Sequence, residues 1–356
     1  MTPAANAASP VDRCASEESG APIDCVLFDL DGVVYHGPDP ITGAVEAISW
    51  LHEQSIPVSY VTNNATRTAE VVADHISTLG IRTSPAEVTT SAQVLAGQLA
   101  AKFGTGASVY LVGTTGLATA LEAEGLRVTR TLDDDPVVIA QGLDPDITYQ
   151  MIVRACEAIT SGIEWWATNP DYSMVGPRSR VPGNGAFIDM LSRLTGAQPT
   201  VVGKPSPHMM EFAAHRIGAE RPLMVGDRLD TDIEGGNSAG FETALVLTGV
   251  HDIHDALRAG PGRRPTYILP SLRSLGTRIV GSDPARAEER PESSETPLPS
   301  ADGDSAECRI VDGQLRLDES SRAEVSAVQN ALRSAWAATD RGEDIRPGNL
   351  PRRIHD

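Results

Sequence analysis

Asp29 and Asp31 stand one residue apart in Val26-Leu27-Phe28-Asp29-Leu30-Asp31-Gly32-Val33-Val34, and no other pair in the chain looks better placed to do chemistry. On an extended chain, positions i and i+2 point the same way, so both carboxylates can face one point in space. The apolar run before them reads as a strand buried on both faces of a parallel sheet. Two acids at the end of such a strand are costly unless something there needs them. Gly32 lets the chain leave the strand in a conformation closed to other residues. On this stretch alone, an acidic strand-to-loop turn without function is the competing reading.

Three more segments place reactive groups after apolar runs. Tyr60-Val61 leads into Thr62-Asn63-Asn64-Ala65-Thr66-Arg67, Val201-Val202 into Gly203-Lys204-Pro205, and Leu223-Met224-Val225 into Gly226-Asp227, with Asp230 and Asp232 close behind. A strand, polar turn and helix present backbone N–H groups to an anion, although a Thr-Asn-Asn turn alone also reads as a plain helix cap. Lysine occurs only at Lys102 and Lys204; every other cationic side chain is arginine. A compact ammonium is what a phosphate pocket can require. The strand C-termini of a parallel sheet share one edge, so these groups converge although about 200 positions separate them. Carboxylates gathered there raise one another's pKa. A hard divalent cation relieves that, and Mg²⁺ takes a few carboxylates, waters and a substrate phosphate. Thr62, Asn63 and Lys204 supply donors and positive charge for phosphate oxygens, which together make a clamp for phosphoryl transfer. Asp230 reads as a helix N-terminal acid.

The elements that must position these groups alternate strand and helix. Ala44–Gln54 has helical spacing, Ile56–Val61 is a strand, and a helix runs to about Leu79. Thr89-Thr90-Ser91 starts another helix, to about Phe103. A separate α/β pattern follows to about Pro199, with strands at Val109–Val112, Val137–Ala140 and Trp165–Thr168. Its Gly-Thr-Thr-Gly turn at Gly113 does not match a dinucleotide fingerprint. A Gly/Pro-rich loop, Asn169–Gly185, precedes a helix from Ala186 to Leu194. The first pattern then resumes through Lys204, a helix Pro207–Ile217, the strand ending at Asp227, and a strand Thr243–Leu247, with Tyr267–Leu269 as an edge. One parallel sheet with a domain inserted is implied. The expected divisions are a disordered tail at 1–20, a core at 21–90 and 200–281, an insert at 91–199, a disordered linker at 282–306, and a small module at 307–356. In that module Asp312-Gly313 is a hairpin cue between two short strands, a helix runs from Ser321 to Ala338, and docking on the rest is expected because about 50 residues are marginal alone.

The chain has 356 residues, 40% hydrophobic and 22% charged, with a net charge of −19. That charge argues against nucleic acid and membrane as partners. Cys14, Cys25, Cys156 and Cys308 are scattered without metal-site spacing, which points to a reducing cytoplasm. Met1–Ala21 lacks the basic start and apolar segment of a signal peptide, and no apolar run approaches the ~20 residues that span a bilayer.

Asp-Leu-Asp-Gly-Val-Val, Thr-Asn-Asn, Gly-Lys-Pro and Gly-Asp-Arg-Leu-Asp-Thr-Asp-Ile, in this order, resemble the haloacid dehalogenase superfamily of phosphatases. The insert resembles the large α/β cap of its NagD-like, p-nitrophenylphosphatase-like branch, with Thr168–Asp171 and Pro182–Ala186 similar to that branch's cap segments. The resemblance covers about residues 21–280. It implies a Rossmann-like doubly wound core with an inserted α/β cap, here followed by a small α+β module. It further implies that Asp29 attacks phosphorus and that Asp31 is the acid and base. Mg²⁺ would be held by Asp29, the Asp31 carbonyl, Asp227 and Asp232. Gly32, Thr62, Asn63, Asn64, Arg67 and Lys204 would bind phosphate or substrate. Specificity would come from the cap, with Asn169, Asp171, Arg178 and Arg180 as candidates, the arginines also reading as solvated loop residues. A covering cap favours a small phosphorylated metabolite, and a second copy meeting the chain through the cap is a candidate partner. Within the branch the actinobacterial glycerol 3-phosphate phosphatases are most similar, which leaves 2-phosphoglycolate and nucleotide 5′-monophosphates as alternatives.

Two readings of other kinds compete. A phosphorylated-Asp signalling or binding module has a similar set of groups, but needs neither the insert nor an acid two residues after the nucleophile. A phosphotransferase or mutase would keep the site and release no phosphate.

Overall fold

In the computed structural model, residues 22–176, 178–276, 308–317 and 324–354 are described. The tail expected at 1–20 and the linker expected at 282–306 lie outside them.

Strand β1 (Cys25–Phe28) is buried at every position. It has no polar face to offer to water, so it must be flanked on both edges and covered on both sides. A short ribbon, β2 (Tyr35–His36) with β3 (Asp39–Pro40), follows it. Next come α1 (Ala44–Glu53), β4 (Val58–Thr62) and α2 (Ala69–Thr78). Thr68 caps α2 by accepting a hydrogen bond from Val71 N–H. The chain then forms β5 (Val88–Thr90) and α3 (Ser91–Phe103). Here the structure departs from expectation: Val88–Thr90 is a strand paired with β4, not the start of the helix. A β-branched pair, Thr89-Thr90, suits an extended edge, and Thr90 also caps α3 by accepting from Gln93 N–H.

The chain then builds a second sheet. It comprises β6 (Ser108–Val112), α4 (Thr115–Ala123), β7 (Arg127–Thr129), β8 (Val138–Gln141), α5 (Tyr149–Thr160) and β9 (Glu164–Ala167). The stretch read as a Gly/Pro-rich loop contains an antiparallel ribbon, β10 (Ser173–Val175) with β11 (Arg180–Pro182). Helix α6 (Asn184–Thr195) leads to β12 (Thr200–Val201), which pairs with β9. Lys204 was expected at the end of a fourth strand of the first sheet. It follows β12, a strand of the second sheet, so that sheet extends past residue 199. A strand of two residues carries no mark of which sheet it joins.

The first sheet resumes with α7 (Pro207–Ile217) and β13 (Pro222–Gly226). It ends with α8 (Glu234–Ser238), β14 (Glu242–Val246), α9 (Ile253–Leu257) and β15 (Tyr267–Leu269). A turn of π-helix, Leu229–Ile233, precedes α8. The first sheet has six parallel strands in the order β15-β14-β13-β1-β4-β5, and the second five, in the order β12-β9-β8-β6-β7. One apolar layer joins them, with Leu27, Val61 and Met224 of the first sheet, Leu95 of α3 and Met209 of α7, and Val109, Leu111 and Val138 of the second.

The C-terminal residues form a hairpin, β16 (Cys308–Val311) with β17 (Gln314–Leu317), and a helix, α10 (Val325–Asp340). Asp312 and Gly313 both have positive φ, 51° and 68°, as the tight turn of a hairpin requires. Among the described residues no helix is long and apolar enough to cross a membrane.

Candidate active site

The parallel register of β1 and β13 sets Phe28 opposite Val225, and Asp29 N–H continues the ladder to Val225 C=O at 2.9 Å. Asp29 and Asp227 therefore leave adjacent strands side by side. Gly32 turns the chain with φ +87°, and a Cβ there would come within 2.6 Å of Asp227 Oδ2. Both the dihedral and the space require glycine. The π turn brings Asp232 back over the strand end, where its Oδ2 accepts from Arg228 N–H at 3.1 Å. Carboxylate oxygens of Asp29, Asp227 and Asp232 come within 4.8 Å of one another.

Lys204 points into this cluster and is 3% exposed. Its Nζ donates to Asp29 Oδ1 at 2.6 Å and to the Val61 carbonyl at 3.1 Å, and lies 2.7 Å from Asp232 Oδ1. The contact with Asp232 is an ion pair off the line of a well-formed hydrogen bond. The backbone of Lys204 is fixed by one side chain from the end of β4. Asn63 Oδ1 accepts from Lys204 N–H at 2.8 Å, and Asn63 Nδ2 donates to the Lys204 carbonyl at 3.1 Å. The same Nδ2 reaches both oxygens of Asp171, at 3.2 and 3.3 Å. Asn169 Nδ2 donates to the Asn63 carbonyl at 2.8 Å, as does Ser91 Oγ at 2.7 Å. A chain of bonds continues through Asn184 and Gln141 to Trp165. The other lysine, Lys102, pairs with Glu164 at the surface.

Negative charge is in excess here, and the titration of the acids reflects it. Burial first, then Asp232 and Asp29 beside it, push Asp227 up to about 8. Burial and Asp29 push Asp232 up to about 6, against the pull of Lys204. Asp31 is exposed at its surface, but the desolvation imposed by its surroundings and then Asp29 raise it as well. Burial works against the charge on Lys204, but Asp232 and Asp29 outweigh it and the ammonium is held more firmly than usual. Asp227 Oδ1 is buried with no hydrogen-bond partner in the protein. An orphaned carboxylate oxygen is expensive unless a cation satisfies it. Oxygens around a Mg²⁺-sized ion at ~2.1 Å lie roughly 3–4 Å apart, so the three carboxylates fit a hard divalent cation.

Comparison with known proteins agrees with this chemistry. The haloacid dehalogenase-like hydrolase family matches residues 26–127, and the HAD-hydrolase-like family matches residues 201–275. D-glycerol 3-phosphate phosphatase of Mycobacterium tuberculosis is 44% identical over 252 residues, 71% of this chain and 70% of that protein. The chain belongs to the haloacid dehalogenase-like hydrolases. An acid sugar phosphatase of Staphylococcus aureus is 41% identical over 69% of this hydrolase and 94% of its own length. Among solved structures, glycerol phosphate phosphatase from M. tuberculosis in complex with magnesium is similar at a TM-score of 0.75. The identity is 36%, and the match covers 92% of this chain and 93% of that one.

Not all residues singled out in this hydrolase's sequence meet at the cluster. Thr62 is buried at the end of β4, its Oγ1 accepting from Asn64 N–H at 3.2 Å. Asn64 is exposed and accepts from Thr66, and Arg67 is exposed but near enough to lower the pKa of Asp31. Asn169 and Asp171 are bonded to Asn63. Arg178 and Arg180 instead stand exposed on the β10–β11 ribbon, Arg180 bonded to Ser173 at 3.1 Å. Asp230 forms a two-point pair with Arg228, at 3.1 and 3.0 Å, away from the three clustered acids. Sequence reasoning missed Arg228, whose charge also acts on Asp171, and Asn184, since their partners Asp171, Asn169 and Gln141 are brought to them only by the fold.

Proposed function

We propose that this hydrolase is a magnesium-dependent phosphatase that cleaves a small phosphomonoester, glycerol 3-phosphate, through an aspartyl-phosphate on Asp29. The observation that carries the reading is the cluster of Asp29, Asp227 and Asp232, within reach of one ion, with Lys204 Nζ on the first and last of them. Asp29, the Asp31 carbonyl, Asp227 and Asp232 are the groups that would hold Mg²⁺. When bound, the ion supplies positive charge to the phosphoryl oxygens and offsets the excess of carboxylates. Lys204, Thr62 and Asn63, with Gly32, Asn64 and Arg67 around them, bind and orient the phosphoryl group.

Asp29 then attacks phosphorus, and an Asp29 Oδ–P bond forms as the bond to the alcohol oxygen breaks. The Asp31 carboxyl, whose raised pKa favours the protonated form, gives its proton to the departing alkoxide. As a carboxylate it next takes a proton from water that attacks the same phosphorus. The Asp29–P bond breaks, phosphate leaves, and Asp31 is protonated again.

The substrate assignment is supported by the mycobacterial relative's name and by how far the likeness extends. The match to the mycobacterial structure covers 92% of this chain, whereas that to a p-nitrophenyl phosphatase of Archaeoglobus fulgidus covers 72%. Residues around 91–201 act as the cap, with Asn169 and Asp171, both bonded to Asn63, its positions next to the phosphoryl-binding turn. Cys25 and Cys156 are free thiols, in keeping with a cytoplasmic enzyme.

Phosphate released from a panel of small phosphomonoesters with Mg²⁺ tests this reading. Glycerol 3-phosphate is expected to give a higher kcat/KM than 2-phosphoglycolate, nucleotide 5′-monophosphates and sugar phosphates. Equal rates on all would remove the substrate assignment and leave the reaction class. Asp31→Asn is expected to abolish turnover; full activity in that variant would remove the mechanism. Phosphate that stays on the protein or moves to another acceptor would mark a signalling module or a phosphotransferase instead.

A further inference from the structure

The turn after β14 encloses Asp227. Val250 N–H donates to Asp227 Oδ2 at 2.7 Å, and His251 N–H to the Asp227 carbonyl at 3.1 Å. Thr248 Oγ1 donates to the Gly32 carbonyl at 2.7 Å, so the same turn also holds the loop that carries Asp29 and Asp31. Gly249 is what allows the close approach, since a Cβ there would lie 1.9 Å from Asp227 Oδ2. Residues 247–251 thus set the position of one proposed metal ligand and brace the loop that carries another.

The outer side of this turn is held by the C-terminal residues 350–354. The Arg353 guanidinium donates through Nη1 to the Leu247 carbonyl and through Nη2 to the Gly249 carbonyl, the latter at 2.7 Å. Neighbouring bonds lock this strap in register. The Leu350 carbonyl meets His254 Nε2 at 2.7 Å, the Arg352 carbonyl accepts from Ile253 N–H at 2.9 Å, and Arg352 pairs with Asp252 at 2.6 Å. Ile354 is buried in the apolar cluster beneath.

We propose that Arg353 is a positioning residue of the active site: by holding two carbonyls of the 247–249 turn, it fixes Asp227 and Gly32 from outside and makes the C-terminal strap part of the metal site. The inference rests on the reading of Asp227 as a magnesium ligand. A planar fork spans two carbonyls at once, which a lysine ammonium at one point does less well. Groups that orient metal ligands from behind typically matter by about 10–100-fold in metal affinity or activity.

The test is Mg²⁺ binding to full-length, metal-free protein by titration calorimetry, beside glycerol 3-phosphate hydrolysis and Tm. Arg353→Ala is expected to weaken Mg²⁺ roughly tenfold or more and to lower kcat at saturating Mg²⁺. Arg353→Lys is expected to fall between. Arg264→Ala is the control: it removes the pairing of Arg264 with Asp340 and its place over Trp336, which hold the same module elsewhere. It is expected to lower Tm and leave the Mg²⁺ affinity within about twofold, since it touches no group behind a metal ligand. Unchanged Mg²⁺ affinity in Arg353→Ala overturns the proposal. So does a loss in Arg264→Ala that tracks Tm on the same line, because the strap would then be stabilising only. Should Arg353→Ala not fold, the comparison of Arg353→Lys with Arg264→Ala decides alike. If the unaltered protein neither binds Mg²⁺ nor releases phosphate, the function assigned above fails instead.

Discussion

Asp29 and Asp232 pair with one buried ammonium, that of Lys204, whose charge also acts on Asp31 and Asp227, and the imbalance is held as a proton. With Asp227 raised to about 8 from the usual 3.8, the metal-free fold carries at pH 7 a proton that the unfolded chain has lost. The sign follows: the folded state binds more protons between these two values, so metal-free stability falls as pH rises from about 4 to about 8. A divalent ion must displace that proton. Mg²⁺ binding at pH 7 is therefore expected to release protons, seen as a calorimetric enthalpy that depends on the ionisation heat of the buffer, and to weaken as pH falls from 8 to 6. A buffer-independent enthalpy would contradict it. Asp227→Asn removes the ionisable group while keeping its shape. At pH 8 the metal-free variant is expected to melt higher than the parent, the two converging near pH 4, and to lose the rise in Tm on adding Mg²⁺. Such an exchange of stability for function is what a strained active-site charge implies. Asp29, Asp227 and Lys204 were legible in the sequence because each breaks an apolar run with a charge. The excess of charge was legible too. Which acid carries the proton was not, since burial of Asp227 against Asp232 depends on the return of the π turn.

At the scale of elements, the end of β4 is the joint between the two sheets. One side chain there, Asn63, holds the backbone of Lys204 at both its N–H and its carbonyl and reaches Asp171, so the end of β4, the buried lysine and the segment after β9 share a single node. Asn63→Ala leaves the buried Lys204 N–H without this acceptor and frees the lysine from its register. Such a loss costs about 1–3 kcal/mol per unsatisfied group. The expected result is a Tm several degrees lower with a kcat/KM reduced at least tenfold, most of it in kcat because Lys204 still carries its charge but in the wrong place. A change confined to Tm, measured against steady-state kinetics of the same preparation, would show Asn63 to be a structural joint only. The strands that deliver the site could be read from sequence because runs such as Cys25–Phe28 and Pro222–Gly226 are buried throughout. Thr200–Val201 could not be given its sheet, because two residues are too few to mark it. The β10–β11 ribbon was hidden by the glycine and prolines around Ser173–Pro182. Arg353 left no trace at all, since its partners are backbone carbonyls, and a carbonyl has no sequence signature.

The whole molecule closes around the far edge of the six-stranded sheet. Leu315 and Leu317 of the hairpin, and Ala331, Leu332 and Trp336 of α10, pack with Leu245 of β14, Leu247 just after it, Ile268 of β15, and Leu229 and Ile233 of the π turn. Those last two flank Asp230 and Asp232, so the module and the metal cluster share a wall. Trp336 is the largest side chain of this interface; its Nε1 donates to the Ala256 carbonyl at 3.0 Å, and Arg264 lies over its ring. About 50 residues with a hairpin and one helix bury too little apolar surface to fold alone, whereas docked they have no independent reason to unfold first. One cooperative transition is therefore expected for the catalytic sheet and the module together. Trp336→Ala opens a cavity and removes one of the donors to the Ala256 carbonyl, which keeps Ala259 N–H at 3.1 Å, at a cost of about 3–5 kcal/mol. If the two units are coupled, calorimetry of that variant gives a single transition displaced to lower temperature, and bound Mg²⁺ raises it as it raises the parent's. If instead the variant shows an early, separate transition that Mg²⁺ does not move, the module is an appendage, and the strap's hold on the Asp227 turn would have to survive the loss of the module's own packing. The two outcomes differ in the shape of one thermogram, because a wall shared with the metal site cannot melt without the site.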